Sequence, residues 1–178
     1  NLDQWLSYFA IDALMGNMEG GLAGGRTDDF SMYRGVTDPR FVLVPHDMDT
    51  TFNYGTGGSG NPVTRSLFSF VTAGGGVAGL QTFFNDPDIL KAYYAKVLHL
   101  METVFNRQRL DPLIDQLLGG WVDAEAVQVA KTYIDDRRAN VSAQIPLSFS
   151  MTTDLAPTAD GFRVTPTGTA VLTGTFHA

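Results

Sequence analysis

The chain has 178 residues and a net charge of −7, a length sufficient for one compact domain with its own core and part of a second. An acidic chain without a Lys/Arg cluster is a poor candidate for binding nucleic acid or anionic membranes. It has no cysteine, which excludes disulfides and thiolate zinc sites, and no apolar run long enough to span a bilayer. Because the chain starts at Asn1 without a signal-peptide pattern, we expect it to be part of a longer or processed polypeptide.

The first predicted element is an amphipathic helix. Its apolar residues recur every three or four positions: Leu2, Trp5, Leu6, Phe9, Ala10, Ala13 and Leu14. Asn1 or Asp3 can cap its first N–H groups, and Gly16-Asn17 is a typical left-handed stop. We interpret the aromatic members of this stripe as core residues.

A glycine-rich polar segment follows, from Gly16 to Asp29. It does not match a nucleotide-binding fingerprint, because no strand precedes it and no helix follows it. Its glycines instead allow positive φ angles and a close approach of the backbone to a ligand. We therefore interpret it as an active-site loop with four candidate polar residues: Asn17, Glu19, Asp28 and Asp29.

An antiparallel β-hairpin is predicted next. Phe30–Arg34 alternates in polarity, residues 35–40 form the turn, and Phe41–Val44 is a short apolar run. Pro45 ends the second strand, since proline donates no ladder hydrogen bond.

Two aspartates, Asp47 and Asp49, follow this hairpin. Carboxylates at i and i+2 can converge on a divalent cation such as Mg²⁺ that also carries substrate phosphates. The alternative is a turn in which both side chains bond nearby backbone N–H groups. Hairpin pairing should bring Asp28 and Asp29 to the same end of the ribbon. Four carboxylates gathered in one cleft would repel one another unless a cation compensates. This makes a metal site as well supported as the turn, and both interpretations stay open at this point.

Three helices are predicted in the second half of the chain. They begin near Asp86, at Asp111-Pro112 and near Asp123, and Pro146 stops the last one. Their wide apolar stripes should pack with the first helix into a single core.

The composition shifts after Pro146 to Thr, Ser, Pro and Gly. Alternating polarity at residues 162–165 and 169–176 predicts strands. We therefore predict two domains, residues 1–146 and residues 147–178, the second comprising a linker and the opening strands of a β-sandwich-like domain.

Three motifs in order resemble the CotH kinase family, atypical protein-kinase-like proteins first known from bacterial spore coats. They are Gly16-Asn17-Met-Glu19, Asp28-Asp29 ahead of the aromatic strand, and His46-Asp47-Met-Asp49. The resemblance covers roughly residues 1–146, and the order of the motifs is more specific than any one of them. It implies an α+β fold: the mainly helical large lobe of an atypical kinase-like fold with a β-hairpin active site, followed by a β-rich tail.

The resemblance also implies roles for individual residues. The candidate catalytic residues are Glu19, Asp29 and Asp47; the candidates for cofactor binding are Asn17, Asp28 and Asp49; the candidate metal ligands are Asp29, Asp47 and Asp49. In the family, the Asp-x-Asp pair holds the divalent metal on ATP, here Mg²⁺ or alternatively Mn²⁺ or Ca²⁺. The spore-coat pattern has Asp where this chain has Glu19 and Asn where it has Asp29, yet a carboxylate is present at both positions.

The form of the motifs resembles family members in large secreted or surface proteins of environmental bacteria, which implies a secreted or cell-surface location. No glycine-rich hairpin with a phosphate-pairing lysine lies upstream. We therefore expect the active polypeptide to include an N-terminal small lobe and a C-terminal β-domain, and this chain alone not to phosphorylate a protein substrate.

The leading hypothesis is phosphate transfer from ATP to protein Ser or Thr, with Glu19 or Asp29 orienting the accepting hydroxyl. One alternative is a non-catalytic pseudokinase or adhesion module, which Glu19 in place of Asp favours. Another is a calcium-stabilised extracellular module that uses the same carboxylates without ATP.

Overall fold

The computed structural model describes residues 1–19, 22, 29–53, 60–72, 77–146, 149–165 and 167–176. The chain divides into two compact units, Asn1–Ile145 and Pro146–Ala178. It is a mixed α and β protein, in agreement with the predicted α+β class: helices dominate the first unit, and each sheet in the described residues has two strands.

The elements of the first unit are, in chain order, α1 Leu2–Met15, β1 Phe30–Arg34, β2 Phe41–Pro45, a 3₁₀ turn Pro62–Thr64, α2 Ser69–Thr72, α3 Ala78–Phe84, α4 Pro87–Thr103, α5 Arg107–Leu118 and α6 Ala124–Gln144. The second unit contains β3 Phe149–Thr153 and β4 Leu172–Phe176. None of the described helices is long and apolar enough to cross a membrane.

Helix α1 forms where the apolar stripe predicts it and buries that stripe in the core. Asn1 occupies the N-cap position, but its side chain makes no capping hydrogen bond. The predicted stop is confirmed: Gly16 is left-handed with φ 65, and its N–H donates to the Ala13 carbonyl. Glycine suits this position because residues with a Cβ are disfavoured at positive φ.

We expect Gly16→Ala to lower the free energy of unfolding by about 2 kcal/mol. The new Cβ would sit at positive φ, which costs about 1 kcal/mol, and would collide with the Tyr133 hydroxyl. That hydroxyl donates a 3.0 Å hydrogen bond to the Leu14 carbonyl, and losing it costs about 1 kcal/mol. Urea denaturation measures the change. The control is Gly79→Ala, where nothing lies near the new Cβ; a similar loss there would contradict the steric explanation.

The predicted hairpin is confirmed. Strands β1 and β2 are antiparallel, with a register that runs from Phe30 opposite Pro45 to Arg34 opposite Phe41.

Helix α1 completes the outer edge of the hairpin. The Gln4 amide donates to the Leu43 carbonyl at 2.6 Å, and the Leu43 N–H donates back to the same amide at 3.0 Å. The Trp5 indole N–H donates to the Phe41 carbonyl at 2.9 Å. A two-stranded ribbon is marginal by itself, so these bonds fix the hairpin to the helix and thereby fix the loop that leaves β2.

The helices pack into one core, as predicted. Tyr93 and Ile134 are fully buried, and Leu98 is half-buried against the same cluster. Helix α4 begins after Asp86, whose side chain accepts from the N–H groups of Asp88 and Ile89.

The predicted start of α5 at Asp111-Pro112 is wrong, because the helix begins at Arg107. Asn106 caps it by accepting from the Arg109 N–H at 3.0 Å. An ion pair of 2.7 Å between Arg107 and Asp111 supports the first turn. Pro112 therefore lies inside the helix. It removes one backbone donor, but the carbonyl that loses this partner belongs to the exposed residue Gln108, where water can replace it.

The second unit is built on an antiparallel pair, in which Phe149 on β3 lies opposite Phe176 on β4. Strand β3 was not among the predicted strands. The strand predicted at 162–165 is wrong: the described residues there contribute only an isolated bridge between Pro157 and Arg163. Phe162 is exposed, so the alternating polarity of residues 162–165 does not correspond to a buried face of a strand. A continuing β-sandwich stays a prediction.

Candidate functional site

The loop that follows β2 is attached to the end of α1. The Phe52 N–H donates to the Met15 carbonyl at 2.9 Å, and the Met18 N–H donates to the Thr50 carbonyl at 3.3 Å. The motif after α1 and the Asp-x-Asp motif, more than thirty residues apart in the sequence, are therefore held against each other by main-chain hydrogen bonds.

Asn17 cross-links this assembly with its side chain, which is buried. Its Oδ1 accepts from the Thr50 hydroxyl at 3.0 Å and from the Glu19 N–H at 3.1 Å. Its Nδ2 donates to Asp12 at 2.9 Å. The Asn17 amide thus joins three segments: the end of α1 at Asp12, the turn that contains Glu19, and the Asp-x-Asp loop at Thr50. The cofactor-binding role of Asn17 stays a prediction, whereas its internal bonds position the loop.

Asp29 stands at the entrance to β1 and is buried. Its carbonyl accepts from the His46 N–H at 3.1 Å, which places Asp29 and the neighbouring Asp47 at the same end of the hairpin. Asp28, the other member of that predicted cluster, lies outside the described residues. The side chains of Glu19, Asp47 and Asp49 are exposed.

The backbone of the site is strained. The described non-glycine residues with positive φ are Asp29 at 60, Asp47 at 51, Phe52 at 56 and Asn53 at 63. A left-handed phenylalanine is a true outlier, and such conformations cost about 1–3 kcal/mol and persist only where surrounding structure imposes them. The Phe52 ring stacks on Phe105 at 6.1 Å and meets Tyr133 edge-on at 5.9 Å. The core therefore imposes the shape of the loop that carries both aspartates.

Two polar residues of α1, Tyr8 and Asp12, were not among the predicted site residues. They line a cavity of about 290 Å³ together with Met48 of the Asp-x-Asp loop. Burial, followed by the charges of Asp12 and Asp29, raises the pKa of Tyr8. Their i, i+4 spacing is the sequence signal that places both residues on one face of the helix, whereas the apolar stripe indicates only which face is buried.

Arg65 places a positive charge near the Asp12 carboxylate. Its guanidinium donates to the Ser69 hydroxyl at 2.8 Å and contacts the Met18 sulfur at 3.0 Å. Burial lowers the pKa of Arg65, while the charge of Asp12 raises it. The sequence contained no pattern that connects position 65 to α1.

A family model described as CotH kinase protein matches residues 1–141. The chain belongs to the CotH kinase family. The matched segment includes every predicted site residue of this CotH protein. No curated protein and no solved structure matches the chain.

The acidic residues of this CotH protein suit a metal ion that arrives with a nucleotide better than a metal ion held by protein side chains alone. Within the described ranges, no group of three or more His, Asp or Glu side chains is placed to hold a metal ion. Mg²⁺ bound to a nucleotide commonly takes only one or two protein carboxylates and completes its shell with phosphate and water. Asp47 and Asp49 fit that role, since both are exposed on a fixed loop.

Asp12 should give this CotH protein a characteristic pH dependence. Burial, opposed by the Asn17 hydrogen bond and the charge of Arg65 and reinforced by the charge of Asp29, raises the pKa of Asp12 from 3.8 to about 6. The folded state therefore holds this proton more tightly than the unfolded state. The resulting stabilisation is complete below about pH 4 and is lost as the pH rises through about 6.

Asp12→Asn removes this titration and keeps an oxygen acceptor for Asn17. Near pH 4, the free energy of unfolding of the variant should equal that of wild type. At pH 7 it should be about 1 kcal/mol higher than that of wild type, after allowance for the partial exposure of the Asp12 side chain. Urea denaturation at a series of pH values measures the difference. A difference that does not change between pH 4 and 7 would contradict the assignment.

Proposed function

We propose that the polypeptide containing this CotH domain transfers phosphate from ATP to Ser or Thr residues of a protein, with Mg²⁺. The observation that carries the proposal is the Asp-x-Asp loop of a CotH family member, fixed by Asn17 and Thr50 in a strained conformation beside Asp29. Rigid placement of charged groups is what this chemistry requires, because positioning and electrostatic stabilisation supply most of its rate. We further propose a secreted or cell-surface location in a bacterium.

The residues of the chain have distinct proposed roles. Asp47 and Asp49 hold the metal that accompanies the nucleotide, and that metal neutralises charge on the phosphates when it is bound. Asp29 or Glu19 orients the accepting hydroxyl. Asp29 is buried at the base of the site, whereas Glu19 is exposed and its N–H is tied to the Asn17 side chain.

A second candidate function is a pseudokinase that keeps the fold without the chemistry. Glu19 favours it, because the family pattern has an aspartate there. The longer glutamate side chain is exposed and has more rotamer freedom to lose on ordering.

A thermal-shift panel separates the hypotheses. A polypeptide that joins this CotH domain to the N-terminal small lobe that we propose for activity is melted with Mg²⁺, Mn²⁺ or Ca²⁺, each with and without ATP. The kinase hypothesis predicts that the metal raises the melting temperature only when ATP is present. It also predicts transfer of radiolabelled phosphate to protein. A pseudokinase gives no transfer. Stabilisation by Ca²⁺ without ATP would favour the calcium-stabilised module and contradict the kinase proposal.

A further inference from the structure

An apolar groove lies beside the Asp-x-Asp loop, between that loop and the pair α5 and α6. Its volume is about 470 Å³, within the range of ligand pockets in proteins. We call it the α5–α6 groove and define it by Asp49, Phe52, Leu113, Leu117, Val122 and Ala126, which line it. Asp49 and Phe52 belong to the candidate site, so the groove is continuous with it.

The α5 wall of the groove exposes large aliphatic side chains. Leu113 is 47% exposed and Leu117 is 59% exposed, and Leu118 and Val122 on the same lining are partly accessible as well. Single exposed leucines are ordinary, but a contiguous set of them in a concave surface is typical of an interaction site.

Several charges of the helix pair are already neutralised within it. Arg107 is held by Asp111 at 2.7 Å and by Asp135 at 3.0 Å. Lys131 is held by Asp115 at 2.6 Å. These two cations are therefore engaged by carboxylates of the same helices and do not give the groove a positive potential.

The border of the α5–α6 groove carries further carboxylates. Asp49 is on the wall, the exposed Asp47 precedes it by two residues, and the exposed Asp123 follows the lining residue Val122 in the sequence. Arg109, exposed at the start of α5, opposes them with a single positive charge. The border is thus negative, in a chain whose net charge is −7, and it complements a basic partner.

We propose that the α5–α6 groove docks the protein substrate, through a peptide segment with large aliphatic side chains in the groove and Lys or Arg residues beside them. Aliphatic side chains fill the apolar floor, and the basic residues meet the border acids. This inference rests on the proposed function, because Asp49 links the groove to the transfer site.

The groove fits a nucleotide base less well. A base needs hydrogen-bond partners in its pocket, whereas the lining is almost entirely aliphatic and the Thr51 hydroxyl donates internally to the Met48 carbonyl at 3.0 Å. Polarity therefore favours a peptide.

Fluorescence anisotropy with the 178-residue chain tests the proposal. The probe is a fluorescein-labelled peptide with a serine, two leucines at i and i+3, and two lysines. The double variant Leu113→Gln/Leu117→Gln should bind it at least about tenfold more weakly, because burial of the leucines is lost. The control is Leu2→Gln, at a leucine that is also 47% exposed but does not line the groove; it should leave the Kd unchanged.

Changes in the probe provide the complementary test. Serine in place of both leucines should weaken binding to a similar degree as the double variant. Glutamate in place of both lysines should weaken it as well, and added salt should reduce the affinity of the original probe. Equal melting temperatures of the variants and wild type establish that the exposed substitutions leave the fold intact.

Other occupants of the groove give different results, and each would overturn the proposal. Displacement of the probe by ATP would assign the groove to the nucleotide. A wild-type dimer in sedimentation that the double variant dissociates would assign it to a second copy. Equal Kd values for wild type, double variant and control would leave the groove without a role in binding.

The test also separates this inference from the proposed function. Groove-dependent probe binding without any phosphate transfer by the full polypeptide would refute the kinase proposal and leave the docking site standing. Phosphate transfer with a KM for the peptide that the double variant does not change would retain the kinase and remove the docking site.

Discussion

Replacing Asp47 by asparagine should reduce phosphate transfer by about two orders of magnitude or more in a polypeptide that joins this domain to the N-terminal small lobe that we propose for activity. The loss corresponds to about 3 kcal/mol of transition-state stabilisation, the scale expected when a charge that holds the metal on the transferring phosphates is removed. Asp47 is exposed and has a φ of 51, and asparagine is among the residues that tolerate this conformation best. The fold should therefore survive, so that the loss can be assigned to chemistry.

The measurement is radiolabel transfer from ATP by wild type and by Asp47→Asn, beside their melting temperatures in EDTA. Without a metal, the variant should melt at the same temperature as wild type or slightly higher, because any repulsion between Asp47 and the nearby Asp49 has been removed. Asp160→Asn makes the same charge change at an exposed position of the second unit and should transfer phosphate normally. Equal transfer by folded wild type and Asp47→Asn would remove Asp47 from the mechanism, and no transfer by either would favour the pseudokinase.

The sequence was sufficient to predict those elements whose causes are local. The three- and four-residue spacing in α1, the stop at Gly16 and the alternation of the hairpin each depend on neighbours within a few positions, and all three predictions are confirmed. The start of α5 was misplaced because Asp-Pro is a strong local signal, while the actual cap, Asn106, lies five residues earlier.

The candidate site was only partly predictable, since its geometry depends on contacts between distant segments. Motif order identified the residues that carry chemistry. It could not reveal that Asn17 holds Thr50, or that the left-handed Phe52 packs its ring against Phe105 and Tyr133. The ring contacts require the connection between α4 and α5, together with α6, to pack against the Asp-x-Asp loop. No pattern in the sequence specifies that arrangement.

Arg137 is a core residue that holds together the segments next to the candidate site. It lies three residues after Ile134 and four before Val141 on the apolar face of α6, and it is fully buried there. Its guanidinium donates to the Ala13 carbonyl at 3.1 and 2.7 Å, to the Val63 carbonyl at 2.9 Å and to the Arg65 carbonyl at 2.6 Å. Burial lowers the pKa of Arg137. A cation at the C-terminus of α1 also interacts favourably with the helix dipole. Arg137 thus adds charged donors to the Ala13 carbonyl, which also accepts from the Gly16 N–H.

We expect Arg137→Met to lower the free energy of unfolding by about 4 kcal/mol, the scale of breaking a buried charged network. This is a large part of the roughly 5–15 kcal/mol that stabilises a typical domain. It corresponds to a fall in melting temperature of about 10 °C. Methionine fills a similar space with a flexible apolar chain, so the loss should come from the charged hydrogen bonds that are removed rather than from a cavity. Urea denaturation and thermal melting both measure it.

Two further variants identify which property of Arg137 matters. Arg109→Met removes an exposed arginine and should change the free energy of unfolding by no more than about 0.5 kcal/mol. Arg137→Lys keeps the charge but loses the planar fork that reaches three carbonyls, so its stability should lie between those of wild type and Arg137→Met. If the lysine variant is as stable as wild type, charge at the end of α1 is sufficient. If it is as unstable as the methionine variant, the hydrogen bonds that join α1 to residues 63–65 are what hold the base of the site together.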